Sequence, residues 1–104
     1  MTENDLLLQI IDLGHLYGWK IAHFRPAMKK DGTWVTPVSA DGKGFPDLVM
    51  VKQSRLIFAE LKSDTGKLSP EQQVWIDALT CSMRCEVYIW KPENFTEIQE
   101  ILTR

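Results

Sequence analysis

Three charged residues are spaced so that they could form a site for a divalent metal ion. Asp47 lies at the start of an apolar run over residues 46–52, and a second apolar run over residues 55–62 ends with Glu60 and Lys62. Only two polar residues separate the runs, which predicts a β-hairpin. Counting pairs outward from that turn places Asp47 directly opposite Glu60, with Cβ atoms about 4.5–5.5 Å apart. Lys62 is two residues beyond Glu60 and therefore projects from the same face.

This arrangement predicts hydrolysis of a phosphodiester bond. Two carboxylates that face each other in apolar surroundings repel and are costly to desolvate unless a cation lies between them. Mg²⁺ binds such carboxylates together with water and phosphate oxygens. The Lys62 amine could then orient or help deprotonate a water molecule and offset charge on the phosphate. The alternative is that Glu60 and Lys62 form a surface ion pair while Asp47 only begins a strand, and a one-residue shift of register would favour it.

The remaining elements must position this pair, and the hydrophobic pattern predicts an α/β fold in the order α-β-β-β-α-β-α. Both hairpin strands are apolar at consecutive positions, which indicates that helices cover both faces of the sheet. A capping box from Ser69 to Gln72 begins the second helix. The predicted elements are a helix over 3–17, strands over 20–24, 46–52 and 55–62, a helix over 70–82, a strand over 86–90 and a helix over 94–102.

The composition is that of one domain spanning residues 1–104, without room for a separate cofactor domain. Twelve Lys and Arg against fourteen Asp and Glu give a net charge of −2, so the chain is not a polycation that coats nucleic acid. Residues 20–43 nevertheless hold five basic against two acidic residues, a local charge of +3. Much of that charge lies in a predicted loop over 26–45. A loop this long is either functional or a solvated excursion.

The sequence also indicates where the protein works. No stretch reaches the roughly 20 apolar residues of a membrane span, and the acidic start lacks the positive charge of a secretory signal. Cys81 and Cys85 have no second Cys or His pair at metal-ligand spacing, so we expect reduced thiols. We therefore expect a cytoplasmic protein with no membrane association and no organic cofactor.

The hairpin and its surroundings resemble a known family in the segments GFPDLVMV, RLIFAELKSDTGKLSPEQQVWIDAL and VYIWKP. The chain is similar to the VRR-NUC family (virus-type replication and repair nucleases) of the PD-(D/E)XK superfamily. Pro46 and Asp47 match the P-D element, and residues 60–62 match the E-x-K element. The resemblance implies a restriction-endonuclease-like core, a mixed β-sheet flanked by helices, that uses Mg²⁺ or Mn²⁺ to cut DNA. It also implies the backbone carbonyl of Leu61 as a further metal ligand.

The same resemblance extends to oligomeric state and source. Small stand-alone members are phage or bacterial proteins that behave like Holliday-junction resolvases and form homodimers. It therefore implies a homodimer that acts on branched DNA inside a bacterial cell.

Two more residues match the family's motifs, and each has a local structural explanation. Gln72 matches a Q-x-x-W element and could position the attacking water or a phosphate, although a capping box with Ser69 alone would require Gln or Glu there. Glu3 matches an acidic residue at the start of the first helix and could supply a third carboxylate. An acidic residue is also favourable in any helical first turn. Asp5 is the substitute if Glu3 does not serve.

Other residues are candidates for contact with DNA. His23 could be a general base or contact a phosphate, but on a short apolar strand it is more often a half-buried, hydrogen-bonded histidine. Trp34 could stack on an unpaired base or wedge a junction, or it could be a hydrophobic anchor of the loop. The candidate phosphate contacts are Arg25, Lys29, Lys30 and Lys43.

Three functions are consistent with these residues. The first is a metal-dependent DNA endonuclease that is selective for DNA structure, like a Holliday-junction resolvase. The second is a flap or single-strand repair nuclease. The third is a non-catalytic DNA-binding module of a phage replication complex.

Overall fold

The computed structural model describes residues 1–24, 27–35, 38–82 and 84–104, with the backbone alone at 27 and 28. The main elements agree with the predicted order and, to within two residues, with the predicted boundaries. The helices are α1 (Glu3–Leu16), α2 (Pro70–Thr80) and α3 (Phe95–Thr103), the last preceded by a 3₁₀ turn at Pro92–Asn94. The strands are β1 (Lys20–His23), β2 (Ala27–Met28), β3 (Trp34–Val35), β4 (Leu48–Lys52), β5 (Arg55–Leu61) and β6 (Glu86–Trp90).

Four strands form one mixed sheet in the order β1-β4-β5-β6. The first three are antiparallel, and β6 is parallel to β5 because α2 forms the crossover between them. Lys52 pairs with Arg55 and Leu48 with Ala59, so the two-residue turn and its register are confirmed.

One face of the sheet packs against α1 and α3 to form the hydrophobic core. On β5, Ile57, Ala59 and Leu61 are buried on this face, whereas Phe58 and Glu60 point to the other because successive side chains alternate. The buried core comprises Leu6, Ile10, Trp19, Leu48, Met50, Ile57, Ala59, Leu61, Trp90, Ile98, Ile101 and Leu102. Within the described ranges, no helix combines the length and apolarity that crossing a bilayer requires.

The sequence predicts a loop over 26–45, but the described residues of this segment include two short strands, β2 and β3. Strands β2 and β3 pair antiparallel as a small hairpin, separate from the main sheet. Asp31 closes its turn, because its Oδ1 accepts hydrogen bonds from the backbone N–H of Thr33 at 3.0 Å and from the Thr33 hydroxyl at 2.7 Å. Strands of two residues are too short to produce a periodic pattern, which is why the sequence did not reveal them.

The end of this segment is fixed against α2, which covers the second face of the sheet. Trp75 Nε1 donates a hydrogen bond to the Asp41 carbonyl at 2.9 Å. The Phe45 ring lies 5.0 Å from Trp75 and 5.9 Å from Phe58, edge to face in both cases. A Cβ on Gly44 would lie 2.5 Å from the Glu71 carbonyl carbon, so the two backbones touch.

Two glycines with the same backbone conformation allow the importance of that contact to be measured. Gly44 has φ +86° and Gly32 has φ +88°, but nothing lies within 4 Å of a Cβ built on Gly32. We expect Gly32→Ala to lower the free energy of unfolding by about 1 kcal/mol, the cost of a side chain in this conformation. Gly44→Ala should cost about 1–3 kcal/mol more because of the clash with α2. Urea unfolding measures both, and equal losses would mean that the segment is not held tightly on α2.

Candidate active site

Asp47 and Glu60 face each other at the end of the β4–β5 hairpin. Asp47 precedes Leu48 and Glu60 follows Ala59, so the register of that pair places the two acidic residues opposite one another. The backbone N–H of Leu61 donates to Asp47 Oδ2 at 2.9 Å, which holds the Asp47 carboxylate against β5.

Glu60 is the buried charged residue of the described chain, with only 1% of its surface exposed. Its Oε2 atom is buried and has no hydrogen-bond partner among the described residues. Burial raises the pKa of Glu60 to about 9, and the facing Asp47 adds to the shift through hydrogen bonding and its negative charge. The positive charge of Lys62 opposes the shift. Without a cation at this position, Glu60 is therefore protonated at neutral pH.

Pro46 explains why the Leu61 carbonyl is free of the β4 ladder. Extending the register one position further places Pro46 opposite Leu61. The N–H of Leu61 points toward the β4 side, and its C=O points the same way in an antiparallel pair. Proline has no N–H to donate, so the sheet leaves this carbonyl without its usual donor from β4.

Lys62 lies just past the end of β5. Its backbone N–H continues the pairing with β6 by donating to the Trp90 carbonyl at 3.0 Å. Its ammonium group is close enough to lower the pKa of Glu60, and no carboxylate in the described parts of the chain lies within ion-pair distance of it. The surface ion pair between Glu60 and Lys62, which was the alternative from the sequence, is therefore not present.

These groups fit a hard divalent cation. The described residues contain no cluster of three or more His, Cys, Asp or Glu side chains that could hold a metal. The chain would thus supply two carboxylates and one carbonyl, and water or phosphate oxygens would complete the coordination, as is usual for Mg²⁺. Such an ion would contact the buried Glu60 oxygen that has no hydrogen-bond partner among the described residues, and it would offset the charge of the facing Asp47.

Glu3 and His23 lie beside the acidic pair without joining it. Both line a small cleft of about 330 Å³ that also reaches Asp47, and the charge of Glu3 contributes to the raised pKa of Glu60. His23 is half-buried on β1. Asp5, the substitute for Glu3, is instead part of the α1 capping box, where its Oδ2 accepts a hydrogen bond from Thr2 N–H at 2.8 Å.

Gln72 forms the capping box that the sequence predicted. Its Oε1 accepts from the Ser69 N–H at 2.8 Å, and its own N–H donates to Ser69 Oγ at 3.2 Å. Gln72 is half-buried and, together with Asp47, lines a second and larger cleft, so the capping role does not remove it from the site.

That cleft, here called the aromatic cleft, has a volume of about 610 Å³. Asp47 and Gln72 lie at its lining together with residues from the 26–45 segment and the end of β1. Its apolar lining residues are Phe24, Trp34, Val35, Val38 and Phe45. Sequence reasoning missed Phe24 and Phe45 as site residues, although Phe45 directly precedes the P-D element and was a signal; Phe24 is brought there only by the fold, where its N–H donates to the Asp47 carbonyl at 3.2 Å.

The candidate DNA contacts are spread over the surface. Lys29 and Lys30 are exposed at the turn of the β2–β3 hairpin and do not line the aromatic cleft. Lys43 does line it, but its Nζ also pairs with Glu71 Oε1 at 3.2 Å. Arg25 lies outside the described residues.

The family of the chain is shown by comparison with known proteins. The VRR-NUC domain matches residues 26–91, more than half of the chain, and the protein belongs to this family. No curated protein and no solved structure matches the chain. VRR-NUC domains are nucleases, so the class implies DNA as the substrate and suggests the use of a divalent metal.

The buried Glu60 predicts an unusual pH dependence of stability in metal-free buffer. Because the pKa of Glu60 is raised in the folded state, its favourable contribution is complete below the unfolded pKa and is lost as the pH rises toward 9. Relative to Glu60→Gln, the parent should lose up to about 1.4 kcal/mol per pH unit between pH 5 and pH 8. Urea unfolding at several pH values measures this difference.

A matched control is Glu97→Gln, which removes an exposed carboxylate from α3. It should stay within about 0.5 kcal/mol of the parent at every pH. A constant difference between Glu60→Gln and the parent across this range would contradict the raised pKa of Glu60.

Proposed function

We propose that this protein is a metal-dependent DNA endonuclease whose metal ligands are Asp47, Glu60 and the Leu61 carbonyl. The observation that carries the proposal is the buried Glu60 carboxyl, which faces Asp47 and has an oxygen without a hydrogen-bond partner among the described residues. A protein of a nuclease family that keeps this costly arrangement has a functional reason to do so.

The proposed chemistry is hydrolysis of a phosphodiester bond by water. When bound, Mg²⁺ or Mn²⁺ acts as a Lewis acid that activates water and offsets phosphate charge. Lys62 would hold the attacking water and stabilise the additional negative charge of the transition state. Gln72 would orient the water or a phosphate oxygen from the edge of the aromatic cleft. Glu3 is the weaker candidate, since it is exposed and acts on Glu60 only through its charge.

The proposed substrate is branched or otherwise structured DNA, bound by a homodimer. A chain with a net charge of −2 gains little from bulk attraction to DNA, so selectivity would come from the geometry of the backbone. A four-way junction presents two equivalent strands to a two-fold dimer. The phosphate contacts would come from Lys29, Lys30, Lys43 and Arg25. We further propose one domain over 1–104 that acts in the cytoplasm of a bacterial cell, encoded by a bacterium or a phage.

Removal of the Asp47 carboxylate or of the Lys62 amine should strongly reduce DNA cleavage. We expect Asp47→Ala and Lys62→Ala to lower the rate of DNA cleavage with Mg²⁺ or Mn²⁺ at least about 100-fold, because the first removes a proposed metal ligand and the second removes a positive charge at the reacting phosphate. EDTA should have the same effect on the parent, reversed by added Mn²⁺. Gel assays with labelled DNA measure the rates. Lys20→Ala removes an exposed lysine at the other end of the sheet and is the control.

The same assay decides among the three functions when it includes duplex, flap, single-stranded and four-way substrates. Preference for four-way DNA supports the junction proposal, and preference for flaps or single strands supports a repair nuclease. Equal rates on all substrates would leave a nuclease without structure selectivity. If the parent binds DNA but cleaves none of them with any divalent ion, the protein is a non-catalytic binding module.

The two roles of Gln72 can be separated because Glu also completes a capping box. Gln72→Glu should keep the free energy of unfolding within about 0.5 kcal/mol of the parent, whereas Gln72→Ala should lose about 1 kcal/mol. Cleavage by Gln72→Glu should nevertheless fall about tenfold or more, since a second negative charge beside Asp47 repels phosphate. Urea unfolding and the cleavage assay give the two readouts. Unchanged cleavage by Gln72→Glu would assign Gln72 to helix capping alone.

A further inference from the structure

The aromatic cleft is too apolar to serve only the sugar-phosphate backbone of DNA. Phosphates are bound by cationic and polar side chains, whereas this cleft is lined mainly by Phe24, Trp34, Val35, Val38 and Phe45. Its volume of about 610 Å³ is in the range of clefts that hold small organic molecules or rings. Its lining therefore suits a flat, mostly apolar group with a few polar edges.

Two of its aromatic rings are placed as surfaces for stacking. Trp34 is 65% exposed on β3, although burying an indole ring is favourable. Phe24 is 42% exposed and is held by an edge-to-face contact with Phe45, with 5.5 Å between ring centroids. Phe45 packs in turn edge to face against Trp75, so aromatic contacts connect this wall of the cleft to α2.

The position of the cleft relates its occupant to the acidic pair. Asp47 lies in the lining of the aromatic cleft and directly faces Glu60. A nucleotide whose phosphate lies at the acidic pair therefore has its base next to the cleft. A base within a duplex is stacked and paired and cannot enter such a cleft, whereas an unpaired base can.

We propose that the aromatic cleft binds one unpaired base of the DNA substrate, next to the phosphate that is cleaved. This inference rests on the proposed nuclease function and names its substrate class as DNA with an unpaired nucleotide at the cleavage position. Trp34 and Phe24 supply the stacking surfaces, and Lys43, also in the lining of the cleft, would contact the backbone of the bound DNA strand. Stacking on aromatic side chains tolerates any base, so the cleft confers selectivity for structure and not for sequence.

The test compares three DNAs in the presence of Ca²⁺, which occupies hard-cation sites in place of Mg²⁺. The first is a labelled duplex, the second carries one unpaired nucleotide, and the third carries the same unpaired nucleotide without its base. We expect the second DNA to bind about tenfold more tightly than the other two, the size of effect that stacking of one base produces. Tryptophan fluorescence should be quenched by the second DNA more than by the third.

Variants then assign the effect to the cleft. Trp34→Ala should lose the difference between the base-containing and base-free DNAs, and Trp34→Phe should keep most of it while losing the fluorescence change. Leu16→Ala removes a side chain that is 77% exposed on α1 and is the control for loss of an exposed apolar group. Equal affinity of the parent for the DNAs with and without the base would overturn the inference. That result is expected if the cleft binds a protein segment and not a base.

The cleavage assay with Mn²⁺ separates this inference from the proposed function. If DNA is cleaved but the base makes no difference to binding, the inference fails and the nuclease stands. If the base preference is present but no DNA is cleaved, the cleft binds an unpaired base, while the nuclease proposal and the placement of that base beside a cleaved phosphate both fail.

Discussion

The structure is organised around the unfavourable pairing of two carboxyl groups at the end of a hairpin. Burying one ionised carboxylate beside another costs several kcal/mol, so the free protein holds Glu60 in its neutral form. The pairing exists because the turn contains two residues, and a turn with one residue more or fewer would rotate Glu60 away from Asp47. Gln53 adopts φ +54° in this turn, a conformation that is uncommon for residues other than glycine. The paired strands on both sides impose that conformation, and the register is retained despite its cost.

The region around the acidic pair is assembled from segments that contact each other through α2. The same capping box that begins α2 presents Gln72 to the aromatic cleft, and the first turn of α2 receives the backbone of Gly44. Trp75 then holds Asp41 from the next turn of the helix. The position of the 38–45 segment therefore depends on the start of α2, and so does the wall of the cleft that Phe45 forms. A substitution in α2 would therefore alter the geometry of the aromatic cleft, although α2 contributes no carboxylate to the acidic pair.

The parts of the site that the sequence revealed are those governed by local rules. The facing of Asp47 and Glu60 follows from the length of one turn, and the capping box follows from residue types three positions apart. The nearly complete burial of Glu60 could not be predicted, because it depends on what α2 and the neighbouring strands place around it. The ion pair of Lys43 with Glu71 joins residues far apart in the sequence and was missed for the same reason. The β2–β3 hairpin was missed because two-residue strands carry no periodic signal.

The lysines proposed to contact DNA differ in how close they lie to the acidic pair. Lysines that neutralise phosphates release counterions and provide most of the affinity of basic DNA-binding proteins. Here Lys43, the lysine at the aromatic cleft, is already paired with Glu71, while Lys29 and Lys30 lie on a turn away from the cleft. Exposed ion pairs contribute little to stability, so Lys43 can exchange Glu71 for a phosphate at small cost. If the proposed metal ion and unpaired base are bound, their contacts would add to the binding energy that these lysines provide, and the contact to the base would be available only where the DNA departs from a regular duplex.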